Sequence, residues 1–183
     1  ETGAMLKLIV ALSMLLTPLL IMFYARFIEP RLHQEQIKES DIERQDNPVV
    51  IAGFGRVGQI IGRLLTANGV KTTVLDADAS YIDMLRKAGF KVFYGDVERM
   101  ELLHKAGLDK AKIFILAIDD SEQALKIARE VRNHYPHLKI LARVGNRAQA
   151  FEFINNGFLD CYRETYDTSL TMGTDALKHL GFS

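Results

Sequence analysis

Val49-Val50-Ile51-Ala52-Gly53-Phe54-Gly55-Arg56-Val57-Gly58-Gln59-Ile60-Ile61-Gly62-Arg63 decides the fold class. The stretch opens as an apolar, β-branched run of strand type and turns through Gly53-x-Gly55-x-x-Gly58. It then continues as a helix with Ile60, Ile61, Leu64 and Leu65 on one face. Strand, glycine turn and helix N-terminus, in that order, form the setting a dinucleotide-type phosphate loop requires. Gly53 allows the tight turn, Gly55 lets the backbone approach a pyrophosphate, and Gly58 lets helix and strand pack closely. Orphan N–H groups and the helix dipole favour an anion at the helix start. Asp76 closes the next strand, Thr72-Thr73-Val74-Leu75-Asp76, about 20 residues further on, where an acid binds ribose hydroxyls.

Working outward towards the C-terminus, strands and helices alternate. A helix over 80–87 carries Ile82, Met84 and Leu85, and a strand over 91–94 stops at Gly95-Asp96. A short helix spans 98–105, a buried strand 112–118, and a longer helix 121–134. A strand over 138–143, a helix over 146–156, a strand over 158–162 and a terminal helix over 164–180 complete the pattern. Alternation at this spacing predicts an α/β, Rossmann-like doubly wound parallel sheet of order 3-2-1-4-5-6.

Towards the N-terminus, residues 1–5 read as a cloning remnant or truncation point. From Leu8 to Ala25 no residue is charged, a run long enough to cross a bilayer as a helix. Pro18 would kink it; Lys7 and Arg26 flank it, and Tyr24 stands where an interfacial aromatic would. A transmembrane-type helix over 6–28 is the expectation, with a buried or dimerising amphipathic helix and a signal peptide as rivals. Arg26, Arg31 and Lys38 place its C-terminal side towards the cytoplasm. Residues 29–47 are polar and charge-rich, bracketed by Pro30 and Pro48, and read as a linker, helical in part over 34–43. The folded domain is expected over 48–183.

The chain is 183 residues long with 23 Lys+Arg and 23 Asp+Glu, so it offers no basic patch for a nucleic acid. The single Cys161 rules out an intrachain disulfide framework and fits a reducing compartment. The histidines show no metal spacing; His134 and His137 flank Pro136 in a turn, and no metal is expected.

Ligands of such sheets lie across the carboxyl ends of the strands. Those ends carry Gly53, Phe54, Gly55, Arg56, Val57 and Gly58 after the first strand, Asp76 after the second, and Asp96-Val97 after the third. Ala117 and Asp119 end the fourth, and Arg143 the fifth. Asp76 accepts both ribose hydroxyls and repels a 2′-phosphate, so AMP, ADP or NAD(H) is favoured over NADP. Asp96 and the Val97 backbone lie near an adenine, unless Asp96 caps a helix. Asp119 serves the cleft or caps the helix from Ser121. Arg143 neutralises a phosphate or pairs with a neighbouring acid. No catalytic constellation accompanies the cleft, and only a helix follows the sixth strand, so the nucleotide is expected to be sensed rather than turned over.

Gly53-Phe-Gly-Arg-Val-Gly-Gln59, Tyr94-Gly-Asp96, Tyr135-Pro136-His137-Leu138, the Ala142-Arg143 strand end and Arg163-Glu164-Thr165 together resemble the KTN (RCK-type) domain of Kef glutathione-gated potassium efflux systems. Leu12 to Leu20 resembles the last transmembrane helix of their transport domain. The resemblance implies a cytoplasmic regulatory domain of a bacterial inner-membrane potassium/proton antiporter. It implies a homodimer that binds AMP or NAD(H) in the cleft and glutathione or its adducts at the dimer interface. It also implies a transport domain as partner, assisted in the family by a flavin-containing quinone-reductase-like subunit. The matching glutathione positions are Gln59, Arg63 and Arg163, and arginine forks suit the carboxylates of that ligand. On residue type alone, Arg63 is equally an exposed helix arginine and Arg163 a partner of Glu164. Two departures stand out: Ala88 replaces an aromatic residue of the family, and the chain ends short of the family's C-terminal extension. A nucleotide-gated RCK domain of a potassium channel or Trk-like uptake system, without glutathione control, is the alternative.

Overall fold

A computed structural model describes residues 2–24, 46–78, 82, 85–86 and 92–182. The chain divides into two compact units, Glu1–Asp41 and Ile42–Ser183. The expected linker helix over 34–43, the flanking Arg26, Arg31 and Lys38, and Ala88 lie outside the described residues.

In the first unit, α1 (Thr2–Phe23) is one helix of 22 residues with Pro18 inside it. Proline removes an N–H from the helical ladder. Just before it, Thr17 Oγ1 donates to the Ser13 carbonyl at 2.7 Å and Ser13 Oγ to the Val10 carbonyl at 2.9 Å. The large apolar side chains described on α1, Val10, Met14, Leu16 and Leu20 among them, are exposed. Among the described residues no helix is long and apolar enough to cross a membrane. The side chains of Leu8, Ile9, Leu12, Leu15 and Leu19, on which a bilayer-crossing reading of 6–28 rests, lie outside that set.

In the second unit, six strands form one parallel sheet of order β3-β2-β1-β4-β5-β6. They are β1 (Val49–Ala52), β2 (Thr72–Asp76), β3 (Val92–Tyr94), β4 (Ile113–Leu116), β5 (Lys139–Val144) and β6 (Cys161–Arg163). In the same unit stand α2 (Arg56–Ala67), α3 (Met100–Lys105), α4 (Ser121–His134), α5 (Arg147–Asn155) and α6 (Tyr166–His179). β1 pairs with β2 on one side (Val49 to Thr72) and β4 on the other (Val49 to Ile113), so the glycine turn leaves the centre of the sheet.

All four β1 residues are buried, as a strand covered on both faces requires. Strand side chains alternate between faces, so Val49 and Ile51 join one core and Val50 and Ala52 the other. The first core includes Phe54, Val74, Ile82, Leu85, Val92 and Ile115, with Val57, Ile61 and Leu65 of α2 against it. The second includes Phe114 and Leu116 with Leu103 of α3, Ala124, Leu125, Ile127, Ala128 and Val131 of α4, and Phe153 of α5. Helices on both faces make the sheet doubly wound.

The structure corrects several expected details. The apolar face of α2 is Val57, Ile61 and Leu65; Ile60 and Leu64 are 69% and 63% exposed. The helix meets the sheet through its glycines: a Cβ on Gly62 would stand 2.7 Å from the Phe54 ring, so no larger residue fits. The fold also starts before Pro48. Asn47 Nδ2 donates to Thr73 Oγ1 at 3.0 Å, satisfying a buried polar side chain, and Lys110 pairs with Asp46 at 2.7 Å. β4 ends at Leu116, two residues before expected, after which Ala117 N donates to Ala52 O at 2.7 Å. β6 begins only at Cys161, because Phe158 turns into the core edge-on to Phe153 at 6.0 Å instead of pairing in the sheet.

Candidate nucleotide cleft

All six strand tips open into one cleft of ≈ 500 Å³. Gly53, Phe54, Gly55, Arg56, Val57, Asp76, Asp96, Val97, Ala117, Asp119 and Arg143 line it. Gly58, also expected there, does not; a Cβ on it would stand 2.1 Å from the Gly53 carbonyl oxygen, so its task is close packing beneath the loop. Gly53 has φ +88°, and a Cβ there would meet the Ala117 carbonyl carbon at 2.8 Å. Gly55 differs from both: a Cβ on it would touch nothing within 4 Å. The space its missing side chain leaves is open cleft, as close approach of the loop backbone to a phosphate requires.

Gly55 is also the N-cap of α2 and provides no side-chain cap. The first helical N–H groups have no intrahelical acceptor and carry the positive end of the dipole. The first helical residue is Arg56 rather than an acid. A cation there opposes the dipole by roughly 0.3–1 kcal/mol, a placement that suits an anionic ligand better than it suits the helix.

Beside the glycine turn, Asp76 spans the gap between strand and loop. Its Oδ2 accepts from Phe54 N at 2.6 Å and its Oδ1 from Asp78 N at 2.8 Å. These two bonds hold the carboxylate plane, and each oxygen keeps a lone pair for a ribose hydroxyl. Asp96 Oδ1 accepts from Glu98 N at 3.0 Å in a local turn. It does not cap a helix, since α3 begins at Met100 with Arg99 at its N-cap.

The far side differs most from expectation. The cap of α4 is Asp120, whose carboxylate accepts from Glu122 N at 2.9 Å and Gln123 N at 3.1 Å. Asp119 is thereby left 87% exposed and bonds Arg143. Arg143 also bonds Glu164 through both Nε and Nη2, and Glu164 reaches Arg56 at 3.2 Å. Arg143 and Glu164 are 11% and 17% exposed. Burial pulls the Arg143 guanidinium down, but hydrogen bonds to Asp119 and Glu164 outweigh it and hold its pKa above the ordinary arginine value. Arg143 is thus committed to two acids, and Arg56, 82% exposed, is the cation that stands beside Gly55 at the start of α2. Glu164 was missed because it looked like a partner of its neighbour Arg163. In the fold it crosses to β5 and α2, a pairing between residues distant in sequence.

Of the three positions matched to glutathione, Gln59 lines the cleft, while Arg63 is exposed on α2. Arg163 stacks on the Tyr166 ring at 3.6 Å instead of pairing with Glu164. Cys161 is half-buried with Sγ 3.8 Å from the Ala150 carbonyl, and burial pushes its thiol pKa up. Among the described residues no group of three or more His, Cys, Asp or Glu could hold a metal ion.

A parallel sheet with a glycine turn at its switch point and a ribose-type acid on the next strand defines a nucleotide-binding Rossmann domain. The TrkA-N domain matches residues 49–159, and the chain belongs to that family. Its relatives in the family include Kef systems. It is 44% identical over 181 residues to the glutathione-regulated potassium-efflux system protein KefC of Escherichia coli O17:K52:H18, covering 99% of this chain and 29% of that protein. It is 43% identical over 182 residues to KefC of Cronobacter sakazakii, with the same coverage. The chain therefore spans under a third of the length of these relatives. Among solved structures it is similar to the Kef C-terminal domain of Shewanella denitrificans in AMP-bound form, with TM-score 0.67 and 43% identity over 74% of this chain and 82% of that one. The Kef-type KTN resemblance read from the motifs is the relationship these comparisons show.

Proposed function

We propose that this chain is the cytoplasmic ligand-sensing domain of a glutathione-regulated potassium/proton efflux system of the bacterial inner membrane. It binds AMP or NAD(H) in the cleft. The observation that carries the reading is the pairing of Gly55 with Asp76. Gly55 leaves open space at an uncapped helix N-terminus, and Asp76 is oriented by two backbone N–H groups at the ribose end. The AMP-bound state of the Shewanella domain supports the same ligand class.

Glutathione is the regulatory ligand in this reading, held by Gln59, Arg63 and Arg163 at a homodimer interface. The Arg56–Glu164 ion pair supports it, because it brings the start of α2 and the end of β6 to one rim. α1 is the last helix of the transport domain, and the linker carries domain motion to it. Glutathione moves the gate only by binding one arrangement of the domain pair more tightly than the other. The reading is one of sensing rather than catalysis.

Calorimetry of the chain with AMP, NADH, glutathione and a glutathione adduct tests both halves. AMP is expected to bind, and Asp76→Ala to weaken it about tenfold or more, the loss of a bidentate charged hydrogen bond. Glutathione is expected to bind the dimer and to lose affinity in Arg163→Ala. Absence of heat with AMP and NADH overturns the nucleotide half, and absence of heat with glutathione and its adduct at millimolar concentration overturns the other.

A further inference from the structure

Resting on the reading of the cleft as an adenine-nucleotide site, we infer that Asp119, Arg143 and Glu164 set how many phosphates it accepts. They admit a monophosphate, or a nucleotide whose far end is uncharged, and turn away a triphosphate.

Five carboxylates line the cleft, Asp76, Asp78, Asp96, Asp119 and Glu164, against the guanidiniums of Arg56 and Arg143. Both cations are already ion-paired inside it, Arg143 to Asp119 and Glu164, and Arg56 to Glu164. The charge available to an anion is therefore the uncapped start of α2, about half an elementary charge, together with whatever Arg56 gives up from Glu164. That suffices for one phosphate beside Gly55. With the ribose at Asp76 on β2, a chain of further phosphates runs past α2 towards the tips of β4 and β5. There it meets Asp119, whose carboxylate is exposed, and Glu164, whose charge is shared between two arginines. Among the described residues the lining holds no third guanidinium and no lysine, so each added phosphate meets like charge without a new counterion.

An uncharged ribosyl group has the opposite experience. Its hydroxyls donate to carboxylates, so Asp119 and Glu164 become acceptors in place of repellers. Selection here works through a penalty on the wrong ligand as much as through contacts to the right one.

Calorimetry and thermal melting with adenosine, AMP, ADP, ATP and NADH, in buffer containing EDTA so that no magnesium neutralises the phosphates, test the inference. We expect affinity to fall from AMP to ATP by about a hundredfold, and NADH to stay near AMP. Asp119→Asn, an exposed substitution that leaves the core untouched, should shrink the AMP-to-ATP ratio about tenfold. Glu164→Gln should shrink it further; its circular dichroism must match the parent chain. ATP binding as tightly as AMP to the parent chain overturns the inference while leaving the cleft as a nucleotide site. So does an unchanged ratio in Asp119→Asn. If not even adenosine or AMP binds, the underlying reading falls, and the inference with it.

Discussion

α4 and α6 have the same length, 14 residues, and opposite circumstances. α4 begins on an Asp120 cap and buries Ala124, Leu125, Ile127, Ala128 and Val131 against the sheet. α6 has no side-chain cap and no buried residue. Leu170, Met172 and Leu177 on α6, and Leu180 and Phe182 just after it, are exposed. The chain itself supplies everything α4 packs against. α6 carries apolar surface that the other described residues leave exposed, which fits the homodimer proposed above. The joint between body and α6 is Glu164, the same residue that closes the far end of the cleft.

The largest expected effect separates the two helices directly. Ala128→Glu places a charge in a fully buried site of α4 and should cost at least about 3 kcal/mol in urea unfolding. Leu177→Asp on α6 should change monomer stability by no more than about 0.5 kcal/mol while weakening self-association in sedimentation. Equal destabilisation by the two would erase the distinction.

Glycines sharpen it. Gly58→Ala puts a Cβ 2.1 Å from the Gly53 oxygen and should destabilise by about 1–3 kcal/mol, with loss of the AMP-dependent melting shift. Gly173→Ala on α6, where a Cβ meets nothing within 4 Å, should raise stability by about 0.5–1 kcal/mol and with it the melting temperature.

The caps predict a smaller contrast. Asp120→Ala should lower stability by about 1 kcal/mol, and Thr165→Ala, which removes no cap bond, by far less. Smallest is a rate. Burial raises the pKa of Cys161 and so lowers its thiolate fraction at neutral pH. Alkylation by N-ethylmaleimide should run slower than in the urea-unfolded chain and keep accelerating to a higher pH. A rate equal to the unfolded one would mean that the β6 edge opens as readily as α6.

The sheet order was legible because each strand is a short apolar run and each crossover carries a helical pattern, which leaves few topologies for a parallel sheet. The cleft was legible wherever its residues follow a strand end, from Gly53 to Arg143. Glu164, Gln123 and Asp78 were not placed there in advance. Gln123 stands in the first turn of a helix and Glu164 beyond the last strand, and neither position carries a local signal. The apolar face of α2 was misplaced for a related reason. Helical period alone groups Ile60 and Leu64 with Ile61 and Leu65, while the contact with the sheet is drawn by Gly58 and Gly62, residues with no hydrophobicity to read.

By itself the sequence determined the glycine turn, the acid that closes β2 and the alternation of strand and helix, since those follow from local sterics and short-range periodicity. Only the tertiary structure decided which acid caps α4, which acids hold Arg143, and that Arg56 pairs with Glu164. Ion pairs between strand tips depend on distances across the sheet. Such distances join residues about 20 or more apart in sequence, where no periodicity reaches and only the packed backbone brings charges together.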